Sequence, residues 1–193
     1  MKLRDIQAGS HIELTLESIQ KLLENAPDGV NANYTIAIDM DGVLADFDAG
    51  SRKALGKNKD TMPTRDFWKG ITHYDKDVEP FFENLPAMKD AFKLMHFITS
   101  NFKEYFVLTA SGFTPKNVEE QKRNWAKNVF SPHLKVVTVK KSADKAQYAN
   151  PNTILVDDRR KSIDPWIAAG GIGILHNDAE NTIAQLNSYL NKD

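Results

Sequence analysis

The stretch Tyr34-Thr35-Ile36-Ala37-Ile38-Asp39-Met40-Asp41-Gly42 sets the reading of everything around it. Residues 34–38 are too apolar and too β-branched for a strand with one wet face. A short apolar run between turn signals, Asn31-Ala32-Asn33 before it and Asp41-Gly42 after it, suits a parallel strand covered on both sides. The same signature returns at residues 105–110 (YFVLTA), 134–139 (LKVVTV), 153–157 (TILVD) and 172–175 (IGIL). Between these runs the pattern predicts helices over 87–98, 115–129 and 164–169. A last one spans 179–190, where Ile183, Leu186 and Leu190 share a stripe. Strands alternating with helices predict parallel βαβ units, hence an α/β fold with a Rossmann-like, doubly wound parallel sheet.

Composition narrows the function. With 193 residues the chain suits one core rather than two. Lys and Arg number 25 against 26 Asp and Glu, a balance that speaks against gripping long nucleic acid by phosphate neutralisation. The absence of cysteine removes thiolate nucleophiles, disulfides and zinc–thiolate sites. No apolar run approaches the roughly 18 residues that cross a membrane, and the first residues have no signal-peptide core. A cytoplasmic protein without a membrane partner is the expectation. A capping box at Ser10 and Glu13, followed by Ile12, Leu16, Ile19 and Leu23, predicts an N-terminal helix. Its stripe must pack on this chain's own core or, in a homodimer, on a second copy. The division that follows is 1–33 as a helical extension, 34–47 and 86–193 as the core, and 48–85 as an insertion. The insertion has no buried strand but carries Phe67, Trp68, Tyr74, Phe81 and Phe82, and it reads as a lid over the strand ends.

Ligands of open parallel sheets bind at the carboxyl ends of the strands. There this chain places Asp39-Met40-Asp41-Gly42, Thr109-Ala110-Ser111, Asp157-Asp158-Arg159 and, after the third apolar run, Lys140, Lys141 and Lys145. Taken singly, D-x-D-G is a common turn and D-D-R a common helix start. Together, each at a strand end, they make a site. Converging carboxylates repel one another unless a cation sits among them, and oxygen ligands alone favour a hard ion such as Mg²⁺. A metal, a lysine and a hydroxyl would take up phosphoryl charge while one carboxylate attacks, and Asp41 stands close enough to protonate a leaving oxygen. The five histidines are scattered, and no pair has ligand spacing on one element.

The order D-x-D-G-V, Thr at a strand end, Lys, then I-L-V-D-D resembles the haloacid dehalogenase superfamily of phosphotransferases. Within it, residues 39–47 (DMDGVLADF) are similar to the first motif of the 5′(3′)-deoxyribonucleotidases. Arg65-Asp66-Phe67-Trp68 resembles that family's cap motif. Residues 81–86 followed by 91–95, Trp125 in its helix, and Leu155-Val156-Asp157-Asp158-Arg159 resemble later parts of it. The resemblance covers about residues 34–176 and implies a small α-helical cap inserted after the first strand. It implies Asp39 as nucleophile and Asp41 as general acid and then base. Asp39, Asp41, Asp157 and Asp158 would form the Mg²⁺ site, with Asp41 acting through its backbone carbonyl and Asp158 beside Asp157. Thr109, Ala110 and Lys145 would bind phosphate, with Lys141 in reserve, and Phe47, Phe67 and Trp68 would cradle a nucleobase. Where the family tends to carry Ser-Pro after the threonine this chain has Ala110-Ser111-Gly112, and the loop before Lys145 is longer. Both departures touch substrate contacts. The expected activity is hydrolysis of deoxyribo- or ribonucleoside monophosphates through an aspartyl phosphate. The alternatives are a phosphatase for another small phosphate or a nucleic-acid end, and a non-catalytic phospho-receiver. A receiver needs neither Asp41 nor the 48–85 insertion.

Overall fold

The computed structural model describes residues 31–190, so the helix read at residues 10–25 lies outside the described residues. The strands are β1 (Asn31–Ile38), β2 (Phe102–Ala110), β3 (Val136–Val139), β4 (Thr153–Asp157) and β5 (Ile172–Leu175). They form one sheet in the order β3-β2-β1-β4-β5, with every neighbouring pair parallel. The helices are α1 (Phe47–Leu55), α2 (Thr64–Asp77), α3 (Ala91–Asn101), α4 (Val118–Val129), α5 (Arg160–Ala168) and α6 (Ala179–Leu190). A 3₁₀ turn at Lys59–Thr61 joins α1 to α2, and another, Ser142–Tyr148, follows β3. The fold is therefore the α/β, doubly wound parallel sheet expected from the apolar runs, and no helix among the described residues is long and apolar enough to cross a membrane.

β1 and β4 lie at the centre, and their apolar residues account for the sheet's dryness: Ile36, Ala37, Ile38, Ile154, Leu155 and Val156 are all fully buried. One face packs against Leu94, Ile98, Trp125 and Leu186, the other against Ile163 and Trp166. Burial on both faces is what lets a parallel strand dispense with alternation. From β1 the chain adds β2 and β3 on one side and then β4 and β5 on the other, so the order switches between β1 and β4 and a crevice opens at their carboxyl ends.

Three helix starts differ from the sequence reading; α4 begins at Val118 rather than 115. α5 begins at Arg160 rather than 164, because its first turn closes through Ser162 and Ile163 N–H donating to the Arg159 carbonyl; Pro165 then sits inside the helix. α3 begins at Ala91 rather than 87, since Met88 N–H is held by the Leu44 carbonyl and Ala87 bridges to Ala45. The Asp90 side chain does not cap its own helix; its Oδ2 accepts from Ala179 N–H at 2.7 Å and caps α6 instead.

Candidate active site

Just past β1, Leu44 and Ala45 N–H both donate to the Met40 carbonyl, and Gly42 N–H donates to the Ala45 carbonyl. This tight loop presents Asp39 and Asp41 on one side. It requires Gly42, whose φ is +83° and whose missing Cβ leaves room for the Asp158 carboxylate: a Cβ would lie 2.5 Å from Asp158 Oδ2. The following Asp46 caps α1, its Oδ1 accepting from Ala49 N–H at 2.8 Å.

Asp39, Asp157 and Asp158 bring one oxygen each to within 4.8 Å of one another. Lys145, from the 3₁₀ turn after β3, is buried among them, with Nζ donating to Asp157 Oδ2 at 2.5 Å and lying 2.8 Å from Asp39 Oδ1. The Asp39 contact is an ion pair without hydrogen-bond geometry. Burial works against the Lys145 charge, but Asp39 and Asp157 outweigh it and hold its pKa above the ordinary lysine value. Lys141, the other lysine considered, is exposed at the cavity wall and supplies a backbone N–H to Asp144. Burial, then repulsion from Asp39, pushes Asp157 up to about 6; burial, then Asp39 and Asp157, pushes Asp158 up to about 7, although its outer side faces solvent.

Sequence reading missed Lys122. It projects from α4, fully buried, and its three ammonium protons are all spent: on Asp41 Oδ2 at 2.7 Å, Thr109 Oγ1 at 2.9 Å and the Ala110 carbonyl at 2.9 Å. The Phe82 ring centroid lies 4.9 Å from Nζ. Asp41 thus has a counterion on one oxygen while Oδ1 is buried without a hydrogen-bond partner. Its pKa is raised: burial prevails over the pull of Lys122, and the Asp39 charge adds to the rise. The signal for Lys122 in the sequence is faint, a lysine three residues before Trp125 on a helix that must pack inward.

Above these groups opens a cavity of about 730 Å³. Phe47, at the start of α1, and Trp68, on α2 of the insertion, line it. Phe67 does not. It is fully buried and packs edge-on against Trp68 with centroids 5.2 Å apart, and Phe82 stands at the wall instead. Neighbours on a helix point about 100° apart, so Phe67 and Trp68 cannot both face the cavity. Phe113, 72% exposed in the loop after β2, joins the wall from the core side. Ser111 is buried, its hydroxyl turned to the Val139 carbonyl at 3.2 Å.

With Asp39, Asp41, Asp157 and Asp158 ionised against Lys122 and Lys145, the cluster is two positive charges short. An all-oxygen donor set with that deficit fits a hard divalent cation.

A solved structure of a haloacid dehalogenase-like family hydrolase from Streptococcus pneumoniae is similar to 81% of this chain and 97% of its own, with a TM-score of 0.52 at 12% identity. The fold is that of the haloacid dehalogenase-like hydrolases. A second hydrolase from Streptococcus pneumoniae aligns over 80% of this chain and 99% of its own (TM-score 0.46, 18% identity). A haloacid dehalogenase-family hydrolase from Deinococcus radiodurans, solved with phosphate and sodium, aligns over 83% and 96% (TM-score 0.47, 11% identity). No family model matches the chain, and no match to a curated protein reaches significance. In this haloacid dehalogenase-like fold the four strand-end motifs meet at one sheet edge, with the insertion above them.

Proposed function

We propose that the protein is a Mg²⁺-dependent phosphomonoesterase that hydrolyses deoxyribo- or ribonucleoside monophosphates. The observation that carries this reading is the pairing of two differently equipped carboxylates: Asp39 against Lys145 and the acidic triad, Asp41 against Lys122 with its other oxygen unpartnered. Asp39, Asp157 and Asp158, with the Asp41 backbone carbonyl, would hold the Mg²⁺, whose charge supports the phosphoryl group when bound. Asp39 attacks phosphorus in line; the P–O ester bond breaks as the Asp39–phosphoryl bond forms. The raised pKa of Asp41 keeps a proton available for the leaving oxygen. The resulting Asp41 carboxylate, steadied by Lys122, then takes a proton from water as that water displaces phosphate from Asp39. Lys145 balances charge on the nucleophile, and Thr109, fixed by Lys122, presents its oxygen at the same edge. Phe47, Trp68 and Phe113 stand in the cavity wall, where they would pack against a base.

The test is phosphate release from a panel of 5′- and 3′-nucleotides, deoxy and ribo, with and without Mg²⁺, with Asp39→Asn as the blank. Mg²⁺-dependent turnover that the variant loses is expected. Turnover of p-nitrophenyl phosphate but no nucleotide would keep the chemistry and overturn the substrate. The signalling-receiver alternative is disfavoured by Asp41 and the insertion, since a receiver has no leaving group to protonate.

A further inference from the structure

The start of α5 breaks a local rule. Arg159, Arg160 and Lys161 open the helix and its first turn has no acidic residue. A helix N-terminus already carries roughly half a positive charge, so cations there are unfavourable. Arg160 turns away to Asp164, 3.9 Å off. Arg159 and Lys161 make no ion pair among the described residues, and both line the cavity. Facing them from the insertion is Lys59, at the start of the 3₁₀ turn, with Nζ 5.2 Å from the Trp68 ring centroid. The pKa of Lys59 is lowered, first by burial and then by Arg159 and Lys161, whose repulsion exceeds the attraction of Asp60 and Asp41. Three cations from two separate elements therefore converge on one side of the cavity. Asp157 and Asp158, just before the helix, offset part of this charge, yet Arg159 and Lys161 point at the cavity rather than pairing, and local rules broken in this way are expected at functional sites.

That ligand group is not the reacting phosphate. The reaction centre has its own buried cations, Lys122 and Lys145, whereas Arg159 and Lys161 are exposed, on the outer side of Asp158. We propose that Lys59, Arg159 and Lys161 form a second anion subsite, which holds a phosphate or phosphodiester on the part of the substrate that leaves. Accepting the phosphomonoesterase reading, this narrows the substrate class to nucleotides with two phosphoryl groups: nucleoside bisphosphates or the 5′-phosphorylated ends of short oligonucleotides. The cavity, at about 730 Å³, lies in the upper part of the roughly 300–1,000 Å³ range of small-ligand sites. The second phosphate takes no part in bond making and departs with the nucleoside. Bound there, it ties the insertion to the core across the mouth.

The experiment compares kcat/KM for thymidine 5′-monophosphate, thymidine 3′,5′-bisphosphate and the 5′-phosphorylated dinucleotide pTpT. It uses the wild type, the combined variant Lys59→Gln/Arg159→Gln/Lys161→Gln, and Arg160→Gln as control. Calorimetric binding of the same three compounds to the Asp39→Asn protein runs beside it. One of the two compounds with a second phosphoryl group is expected to exceed the monophosphate by about tenfold or more, the size of one charge-assisted contact. That ratio should fall toward one in the combined variant and persist in Arg160→Gln. Preference for the bisphosphate or for pTpT separates the two sources. Equal kcat/KM for all three, or a ratio the combined variant retains, overturns the subsite. If neither these compounds nor p-nitrophenyl phosphate turn over, the phosphatase reading fails on its own. The binding arm then decides the subsite: tighter binding of a compound with a second phosphoryl group, lost in the combined variant on the Asp39→Asn background, upholds it, and equal binding overturns it.

Discussion

Removing the ammonium of Lys122 takes away the larger of the two groups, with Lys145, that draw the Asp41 pKa down, and it leaves Thr109 and the Ala110 carbonyl without their shared donor. In Lys122→Met, Asp41 stays protonated to higher pH. It remains able to protonate a leaving group there, but takes a proton from water only at more alkaline pH. We expect kcat to fall by about 10²–10³, in the range of general acid–base contributions, with the ascending limb of the kcat–pH profile displaced upward. A steady-state pH series checks both. Gly42→Ala acts at the neighbouring position for a different reason. Its φ of +83° and the overlap with Asp158 Oδ2 oblige the loop or that carboxylate to move. A loss of about 1–2 kcal/mol in stability and weaker Mg²⁺ binding are expected, read by denaturant melts and cation titration. Asp39, Asp41 and Asp157 were legible in the sequence because each follows an apolar run whose end is unmistakable. Lys122 was not, because it sits among charges in EEQKRNW and only packing decides which of them turns inward. Phe67 was misplaced for a reason the sequence did contain: it and Trp68 are adjacent on a helix and so diverge.

At the scale of elements, α4 holds the insertion to the core. Gln121 Oε1 accepts from Phe82 N–H at 2.9 Å while its Nε2 donates to Asp75 at 2.8 Å; Asn124 donates to Glu83 at 3.0 Å; Trp125 Nε1 donates to the Leu85 carbonyl at 2.7 Å. The same helix delivers Lys122 to Asp41, so the insertion and the acid share one support. Trp125→Phe leaves the Leu85 carbonyl buried and unpaired, at a cost of about 1–3 kcal/mol. A lowered denaturant midpoint with an unchanged slope is the expected result. The existence of each helix could be read from spacing. The starts of α3, α4 and α5 could not: Leu44, from another segment, takes up Met88 N–H, while α5 closes its first turn on the carbonyl of its own cap, Arg159.

Across the whole molecule, the crowded carboxylates make stability depend on pH and on cations together. Asp158, at about 7, and Asp157, at about 6, have folded-state pKa values above the 3.8 of a free aspartate. At these two carboxylates the folded chain binds more protons than the unfolded one between about pH 4 and 7, so their contribution to stability falls as pH rises through that window. His176, whose pKa burial lowers, acts in the opposite sense. Without a divalent cation the protein is expected to melt lower at pH 8 than at pH 5.5. Millimolar Mg²⁺ should raise the pH 8 value more than the pH 5.5 value, since protons and cation compete for the same oxygens. Thermal melts at the two pH values, with and without Mg²⁺, test this. An equal Mg²⁺ effect at both would contradict it.

The sheet ends at both sides in four-residue strands, β3 and β5. Open strand edges are templates on which another chain can add by backbone pairing, and short edges offer few such bonds. A Cβ on Gly173, in the middle of β5, would overlap Ile163 and Ile167, so glycine there lets α5 pack close against that edge. The long, apolar strands β1 and β2, which would be hazardous at a margin, are both flanked. This ordering guards against cross-chain β-aggregation while the crevice above the central strands stays open to substrate.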